Sequence, residues 1–434
     1  MHTLEQLRSG ELAGIRRLQL ACGLTAFPRE IFSLADTLEI LDLSGNALSS
    51  LPGDLPRLHK LRIIFCSNNQ FTELPVVLGA CAELGMIGFK ANRIRTVPAA
   101  ALPPALRWLT LTDNRIEELP AAIGQCKQLQ KLMLAGNRLR SLPAELAGCT
   151  SLELLRIAAN DLTALPSWLP QLPRLTWLAY AGNRFDASAV PRAQAAPIAW
   201  ESLEPGQKLG EGASGVIYQA LYRHDGVVEN VAVKLFKGAV TSDGLPDSEM
   251  TACMAAGAHP NLIPVLGRVT GHPGGAQGLV MTLIAPEFVN LAGPPSLDSC
   301  TRDVYADDLR FSLGAVLDMA RGIASAARQL HEHGITHGDL YAHNILHCGQ
   351  GRVLLGDFGA ASFFAPGGEQ AAALQQLEVR AFGCLLEELI ARCEASAGEQ
   401  ATVTSLARLQ AVCMQPQAAL RPTFAEVERQ LAAA

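Results

Sequence analysis

The residues best equipped for chemistry lie in one stretch, His337-Gly338-Asp339-Leu340-Tyr341-Ala342-His343-Asn344, followed thirteen residues after Asn344 by Asp357-Phe358-Gly359. A carboxylate able to take a proton (Asp339), an amide oxygen donor (Asn344) and a second carboxylate (Asp357) stand close together in the chain. Hard divalent cations such as Mg2+ take oxygen ligands, which Asn344 and Asp357 offer. Asp339 is then the group that accepts or orients a hydroxyl proton. One acid–base group beside two metal ligands is the equipment of phosphoryl transfer from a nucleotide, where a loose transition state asks for positioning and charge neutralisation more than for covalent help. His337 is expected to pack and hydrogen-bond rather than to react.

A matching set for holding phosphates lies upstream. Gly210, Glu211, Gly212, Ala213, Ser214, Gly215 and Val216 form a glycine-rich run. Such a run alone is also used by dinucleotide-binding folds, in which a helix follows directly. Here Val216-Ile217-Tyr218 and then Val231-Ala232-Val233 read as strands joined by a Gly/Asp/Asn turn. A glycine hairpin of that kind lets backbone amides lie close over phosphates. Lys234 ends Val-Ala-Val-Lys and offers a cation to phosphate oxygens; Glu249, fifteen residues on in a helical stretch, is expected to aim it.

The elements that must carry these groups are also legible. Leu279–Leu283 reads as a buried strand leading to a hinge. Apolar residues at helical spacing (Leu313, Val316, Leu317, Ala320, Ile323, Ala324, Ala327, Leu330) predict a buried helix over 313–333 running into the catalytic loop.

The first half of the chain is a different object. From Ile15 it repeats about every 23 residues. One unit reads Leu38-Glu-Ile-Leu41-Asp-Leu43-Ser-Gly-Asn46-Ala-Leu48-Ser-Ser-Leu51-Pro52, and its Asn returns at Asn69, Asn92, Asn114, Asn137, Asn160 and Asn183. Pro returns at Pro75, Pro98, Pro120, Pro143 and Pro166. Leucines at fixed spacing are not buried by one unit, so the units must stack. The repeated Asn is suited to bonding the backbone of the adjacent coil, which a tight turn would otherwise orphan. Strand alternation turns Ile63, Phe65, Met86, Trp108, Met133, Leu154 and Trp177 to the concave face as an apolar stripe that fits a protein partner; flanking helices are expected on the return path.

On these motifs, residues 15 to about 190 resemble the leucine-rich repeat family. Residues from about Leu203 resemble the eukaryotic-type protein kinase family, with further support from Glu378-Val379-Arg380-Ala381-Phe382-Gly383 and Arg421-Pro422-Thr423-Phe424. The fold class expected is an α/β leucine-rich repeat solenoid plus an α+β two-lobed protein-kinase-like domain. The boundaries are 1–190 for the repeats, 191–202 for a linker rich in small residues and proline, and 203–434 for the kinase domain. The kinase resemblance implies ATP in the cleft with Mg2+, Val216 and Ala232 against the adenine, a hinge near Thr282–Ile284, and transfer to a protein hydroxyl, most simply of Ser or Thr.

The chain departs from the family's pattern at several positions. Gly338 replaces the Arg that usually precedes the catalytic Asp, so no cation is in place to read a loop phosphate. Activity is therefore expected without phosphate on Ser362. Tyr341 stands where serine/threonine kinases carry Lys, and His343 is the nearby candidate to replace that cation in part. Arg421 is expected without its usual carboxylate partner. Two other readings compete. The His-Gly-Asp-Leu-x-x-x-Asn loop also resembles that of aminoglycoside and choline kinases, which phosphorylate small molecules. The third reading is a repeat-based scaffold that binds nucleotide with little turnover.

Composition narrows the remaining classes. Residues 1–197 hold 20 Lys and Arg against 16 Asp and Glu, a balance of +4, and residues 198–434 hold 15 against 25, a balance of −10. With no clustered Lys/Arg runs, nucleic acid is not the expected partner. No apolar run approaches the ~20 residues of a membrane span, the N-terminus has no secretory pattern, and a cytoplasmic location is expected. The 11 cysteines show no paired framework. Cys81, Cys126 and Cys149 fall at one place in successive repeats, as small apolar core residues do.

Overall fold

Each repeat supplies a leucine or isoleucine at the middle of a three-residue strand, and only a neighbouring repeat can bury it. The protein is described by a computed structural model covering residues 2–185, 196–212, 214–238, 241 and 243–434. It divides into two units, Met1–Leu175 with Asn183–Phe185, and Thr176–Gly182 with Asp186–Ala434.

The first unit opens with α1 (Leu4–Ser9), capped by the Thr3 hydroxyl, which accepts from Gln6 N. Then β1 (Arg17–Gln19), β2 (Ile40–Asp42), β3 (Ile63–Phe65), β4 (Met86–Gly88), β5 (Trp108–Thr110), β6 (Lys131–Met133) and β7 (Leu154–Arg156) pair in sequence order, all parallel. Their central residues Leu41, Ile64, Ile87, Leu109, Leu132 and Leu155 are buried. The Asn ladder ties the coils together as expected. Asn137 Oδ1 accepts from Ile116 N at 3.0 Å, and its Nδ2 donates to Leu111 O and Leu134 O, both at 2.9 Å. Asn69, Asn114 and Asn160 repeat the pattern one coil at a time.

The return path is not α-helical. It runs as short 3-10 turns, among them Arg29–Leu34, Val76–Ala80, Ala121–Gln125 and Ala144–Gly148, each with the repeat proline at its N-cap. A unit of about 23 residues leaves too few on this side to nucleate an α-helix, which fixes several residues for its first hydrogen bond. Proline, with φ already set and no N–H to satisfy, starts the tighter turn. Cys81, Cys126 and Cys149 are buried at the ends of these turns. Burial pushes the Cys81 and Cys149 thiols up to about 11, in keeping with a packing role.

The second unit contains β8 (Trp177–Ala179) and a six-stranded sheet made from β9 (Pro197–Ala199), β10 (Leu203–Glu211), β11 (Gly215–His224), β12 (Val227–Phe236), β13 (Val265–Thr270) and β14 (Gly278–Thr282). The spatial order is β10-β11-β12-β14-β13-β9, antiparallel except for β9 on β13. Residues 197–202, read from the sequence as the end of a linker, thus enter the sheet as a strand and a 3-10 turn, with Ile198 buried beside Leu203 and Val269. The start of that linker lies outside the described residues. Helix α2 (Pro246–Ala255) follows β12.

The remaining part is mainly helical. After β15 (Val289–Asn290) and β16 (Phe311–Ser312), helix α3 (Leu313–Glu332) is capped by Ser312, whose hydroxyl accepts from Ala315 N. Its predicted apolar face is buried, apart from the half-buried Leu317. Then come β17 (Ile335–Thr336), the hairpin β18 (Ile345–His347) and β19 (Val353–Leu355), and β20 (Ser362–Phe363), which pairs with β17. Helix α4 (Ala371–Ile390) is the most buried helix of this part, and α5 (Gln400–Cys413) and α6 (Phe424–Ala433) close the unit. Among the described residues no helix is long and apolar enough to cross a membrane.

Candidate active site

Two short connections bring the reactive groups together. One joins β17 to β18 and carries Asp339 and Asn344; the other leaves β19 and carries Asp357. Asn344 Nδ2 donates to Asp339 Oδ2 at 3.0 Å and to the Asp339 carbonyl at 2.9 Å. The amide nitrogen is thereby used internally, leaving Oδ1 as the oxygen suited to a hard cation. Asp357 sits in the left-handed region at φ +52°, and its exposed carboxylate accepts from Gly359 N at 3.2 Å. His337 is fully buried, its Nε2 bonded to Gly356 O at 2.9 Å and its ring 5.0 Å from that of Phe358. It ties the two connections to each other, as a packing residue would.

Lys234 on β12 reaches the same place from the sheet. Its ammonium pairs with Glu249 of α2 and stands 3.8 Å from Asp357. Burial works to lower the Lys234 pKa, but the carboxylates of Asp357 and Glu249 outweigh it and hold the ammonium above its ordinary value. Burial pushes the Glu249 carboxyl up to about 7, against the opposing pull of Lys234.

The glycine run forms the expected hairpin between β10 and β11, closed by Gly212 N donating to Gly215 O at 2.9 Å. A Cβ on Gly215 would meet Leu235 O at 2.5 Å, whereas Gly210 and Gly212 face open space. Glu211 is held by Lys208 and Lys237, which depress its carboxyl to about 2. Ser214 accepts from Lys237 N through its carbonyl, and Ala213 lies outside the described residues. Beneath the hairpin is a cleft of about 730 Å3 whose walls include Gly210, Gly212, Ala232, Met281 and Leu346, with Thr282–Ile284 at its edge. From β11 the cleft is lined by Ile217 and Gln219, and not by Val216. Alternation along the strand sends Val216 to the opposite face.

Several contacts had no counterpart in the sequence reading. Glu378 of α4 is buried; its Oε1 accepts from Gly338 N and its Oε2 meets His331 Nε2, both at 2.8 Å. Gly338 has φ +72°, and a Cβ there would meet Ala360 O at 2.5 Å and Leu178 O at 2.7 Å. Glycine at that position therefore follows from space and backbone angle. Asp303 clamps His343 twice, at 2.9 Å to its backbone N and 2.7 Å to its Nδ1. No sequence signal pointed to Asp303, forty residues away. Tyr341 is buried under the Trp177 indole, ring centroids 4.1 Å apart and 10° from parallel. Ser362 is fully buried and accepts from Tyr180 N and Ala181 N. Arg421 donates to the carbonyls of Gln415, Gln376 and Pro416.

The positions read as a concave stripe differ in exposure. Phe65, Trp108 and Met133 are half-buried, whereas Ile63, Met86, Leu154 and Trp177 are buried. Lys131 covers the Trp108 ring at 4.1 Å, and Phe65 fills the space that Gly88 leaves.

A family model for protein tyrosine and serine/threonine kinases matches residues 203–380, and leucine rich repeat models match residues 37–58 and 104–162. Probable cyclin-dependent kinase 10 of Dictyostelium discoideum is 28% identical over 166 residues, 38% of this chain and 42% of that protein. Serine/threonine-protein kinase mos of Xenopus laevis is 26% identical over 183 residues, 42% of this chain and 48% of that protein. The chain is also similar to leucine-rich repeat and calponin homology domain-containing protein 1 of Mus musculus, 31% identical over 112 residues, 25% of this chain and 16% of that protein. The chain thus spans less than half the length of each of these curated relatives.

Proposed function

We propose that this chain, a set of leucine-rich repeats followed by a protein kinase domain, transfers the γ-phosphoryl group of ATP to a protein hydroxyl, that of Ser or Thr. In this role residues 1–190 recruit or regulate protein partners, residues 203–434 carry the catalysis, and the chain acts in the cytoplasm, where its thiols stay unpaired. The observation that carries the proposal is the convergence of Lys234, Glu249, Asp339, Asn344 and Asp357 from separate elements beside one nucleotide-sized cleft.

Roles follow from the chemistry of each group. Backbone amides of residues 210–216 cover the phosphates, Ala232 and Ile217 face the base, and Lys234, aimed by Glu249, pairs with phosphate oxygens. Asn344 Oδ1 and the Asp357 carboxylate are the oxygen donors that would hold Mg2+, which when bound neutralises charge on the phosphates. Asp339 takes the proton of the acceptor hydroxyl; the acceptor oxygen bonds the γ-phosphorus as the bond to the bridging oxygen breaks, and ADP leaves.

The test is labelled ATP with a generic protein acceptor, wild type beside Asp339→Asn, followed by phosphoamino-acid analysis. Label on serine or threonine from the wild type alone is expected. Equal label from both proteins would refute the role of Asp339; label on tyrosine would refute the acceptor class. The burial of Tyr341, where the family's cation is expected, favours a second reading, a nucleotide-binding scaffold with little turnover. Tight ATP binding without transfer would establish it.

A further inference from the structure

The segment Thr176–Gly182 packs as part of the second unit, against the connection that carries Asp339, and does not line the nucleotide cleft. Its contacts run from Thr176 to Ala181. Thr176 Oγ1 accepts from Arg380 Nε at 3.2 Å. Trp177 stacks on Tyr341, and its Nε1 donates to Leu340 O at 3.1 Å. The Leu178 carbonyl lies against Gly338. Tyr180 N and Ala181 N both donate to Ser362 Oγ, at 3.0 and 3.1 Å. These contacts fall on Gly338, Leu340 and Tyr341, on both sides of Asp339, on β20, and on Arg380 of α4.

A nucleotide entering under the glycine hairpin presents its terminal phosphate to Asp339 from the cleft. An acceptor hydroxyl in line with the departing bond must come from the opposite side. Trp177 and Tyr180 are held on Leu340, Tyr341 and Ser362, and no residue of 176–182 lines the cleft. A segment fixed to the neighbours of Asp339 and absent from the cleft lining is placed to meet the acceptor rather than the nucleotide.

We propose that Thr176–Gly182 is a built-in strap over the acceptor side of the catalytic connection, which a protein substrate or an activating partner must lift before transfer. The proposal rests on the kinase reading above. Its fixed points are an aromatic stack and a two-donor anchor on one hydroxyl, and each can be removed singly. Ser362 then has a structural task as the strap's anchor, and Gly338 gives the strap's backbone room to approach.

The experiment uses the full chain, with dephosphorylated casein as acceptor and labelled ATP. Trp177→Leu removes the stack and the Leu340 bond while keeping an apolar side chain; Ser362→Ala removes the anchor with little change of volume. Nucleotide affinity is measured in parallel by fluorescence. Each variant is expected to raise kcat/KM for casein roughly tenfold, the factor set by losing a stack or a pair of hydrogen bonds, with Kd for ATP unchanged. Hydrogen exchange at the Tyr180 and Ala181 amides should rise in both. An active wild type, with both variants folded, binding ATP and no faster than it toward casein, would overturn the strap and leave the kinase reading standing. ATP bound by all three proteins with no transfer by any would overturn the kinase reading itself, and the strap with it.

Discussion

Replacing Gly338 by alanine should disable the proposed transfer without touching any group proposed to meet nucleotide. The residue has φ +72°, and an added Cβ would stand 2.5 Å from Ala360 O and 2.7 Å from Leu178 O. Holding alanine in the left-handed region costs roughly 1–2 kcal/mol. Both obstructing atoms are backbone, so no flexible side chain can yield, and overpacking of this kind costs about 1–3 kcal/mol more. The relief open to the chain is to move the 338–339 backbone away from Glu378, whose Oε1 holds Gly338 N at 2.8 Å. Asp339 moves with it, and a misplacement near 1 Å is worth about a hundredfold in rate. Gly338→Ala is therefore expected to lose about 2–5 kcal/mol of stability and about a hundredfold in kcat, with ATP affinity little changed. Thermal unfolding and labelled-phosphate transfer measure the two, with Gly398→Ala as control, since Gly398 has open space around it and no left-handed φ. A Gly338→Ala protein with wild-type kcat and midpoint would refute the reasoning.

Three further outcomes are expected. Asn137→Ala removes a buried acceptor for Ile116 N and donors to two carbonyls; with about 1–3 kcal/mol for each buried group left unpaired, urea unfolding of the repeats should show a loss of about 3 kcal/mol or more, and a loss below about 1 kcal/mol would count against the ladder. Burial works to lower the His343 pKa, but its hydrogen bond to Asp303 and the charges of Asp303, Asp339 and Asp357 hold it above the ordinary value. The folded chain then binds that proton more tightly than the unfolded one, so the contribution is full below about 6.5 and is lost as pH rises through the folded value; the stability gap between wild type and Asp303→Asn should narrow with rising pH, and a gap independent of pH between 5.5 and 9, as about the range this titration spans, would contradict the assignment. Cys348 is held below its ordinary pKa, first by the backbone at Gln350 and then by Arg352, while burial raises Cys66, Cys81 and Cys149. Iodoacetamide should label Cys348 and exposed Cys22 in the native chain, and mass spectrometry finding Cys66 or Cys149 modified first would show the repeat core to be open.

The sequence by itself determined the elements whose rules are local. The Leu and Asn spacing specified where β1 to β7 fall and what the Asn side chains bond, because each coil buries its leucine only against the next. The apolar periodicity specified α3, and the ordered set from Gly210 to Asp357 named the groups proposed above for the site, since each sits at a fixed offset from a strand or helix end. Tertiary structure decided the contacts that join residues distant in sequence. Asp303 on His343, Glu378 on Gly338 and Trp177 on Tyr341 carry no periodicity and no motif; they exist because folding brings a carboxylate or ring to a backbone group that must be satisfied or covered. The same holds for Ile217 in place of Val216, since only the register of β11 on β12 fixes which face of the strand lines the cleft, and for the return path of the repeats, where the room left after strand and turn chose 3-10 geometry over α-helix.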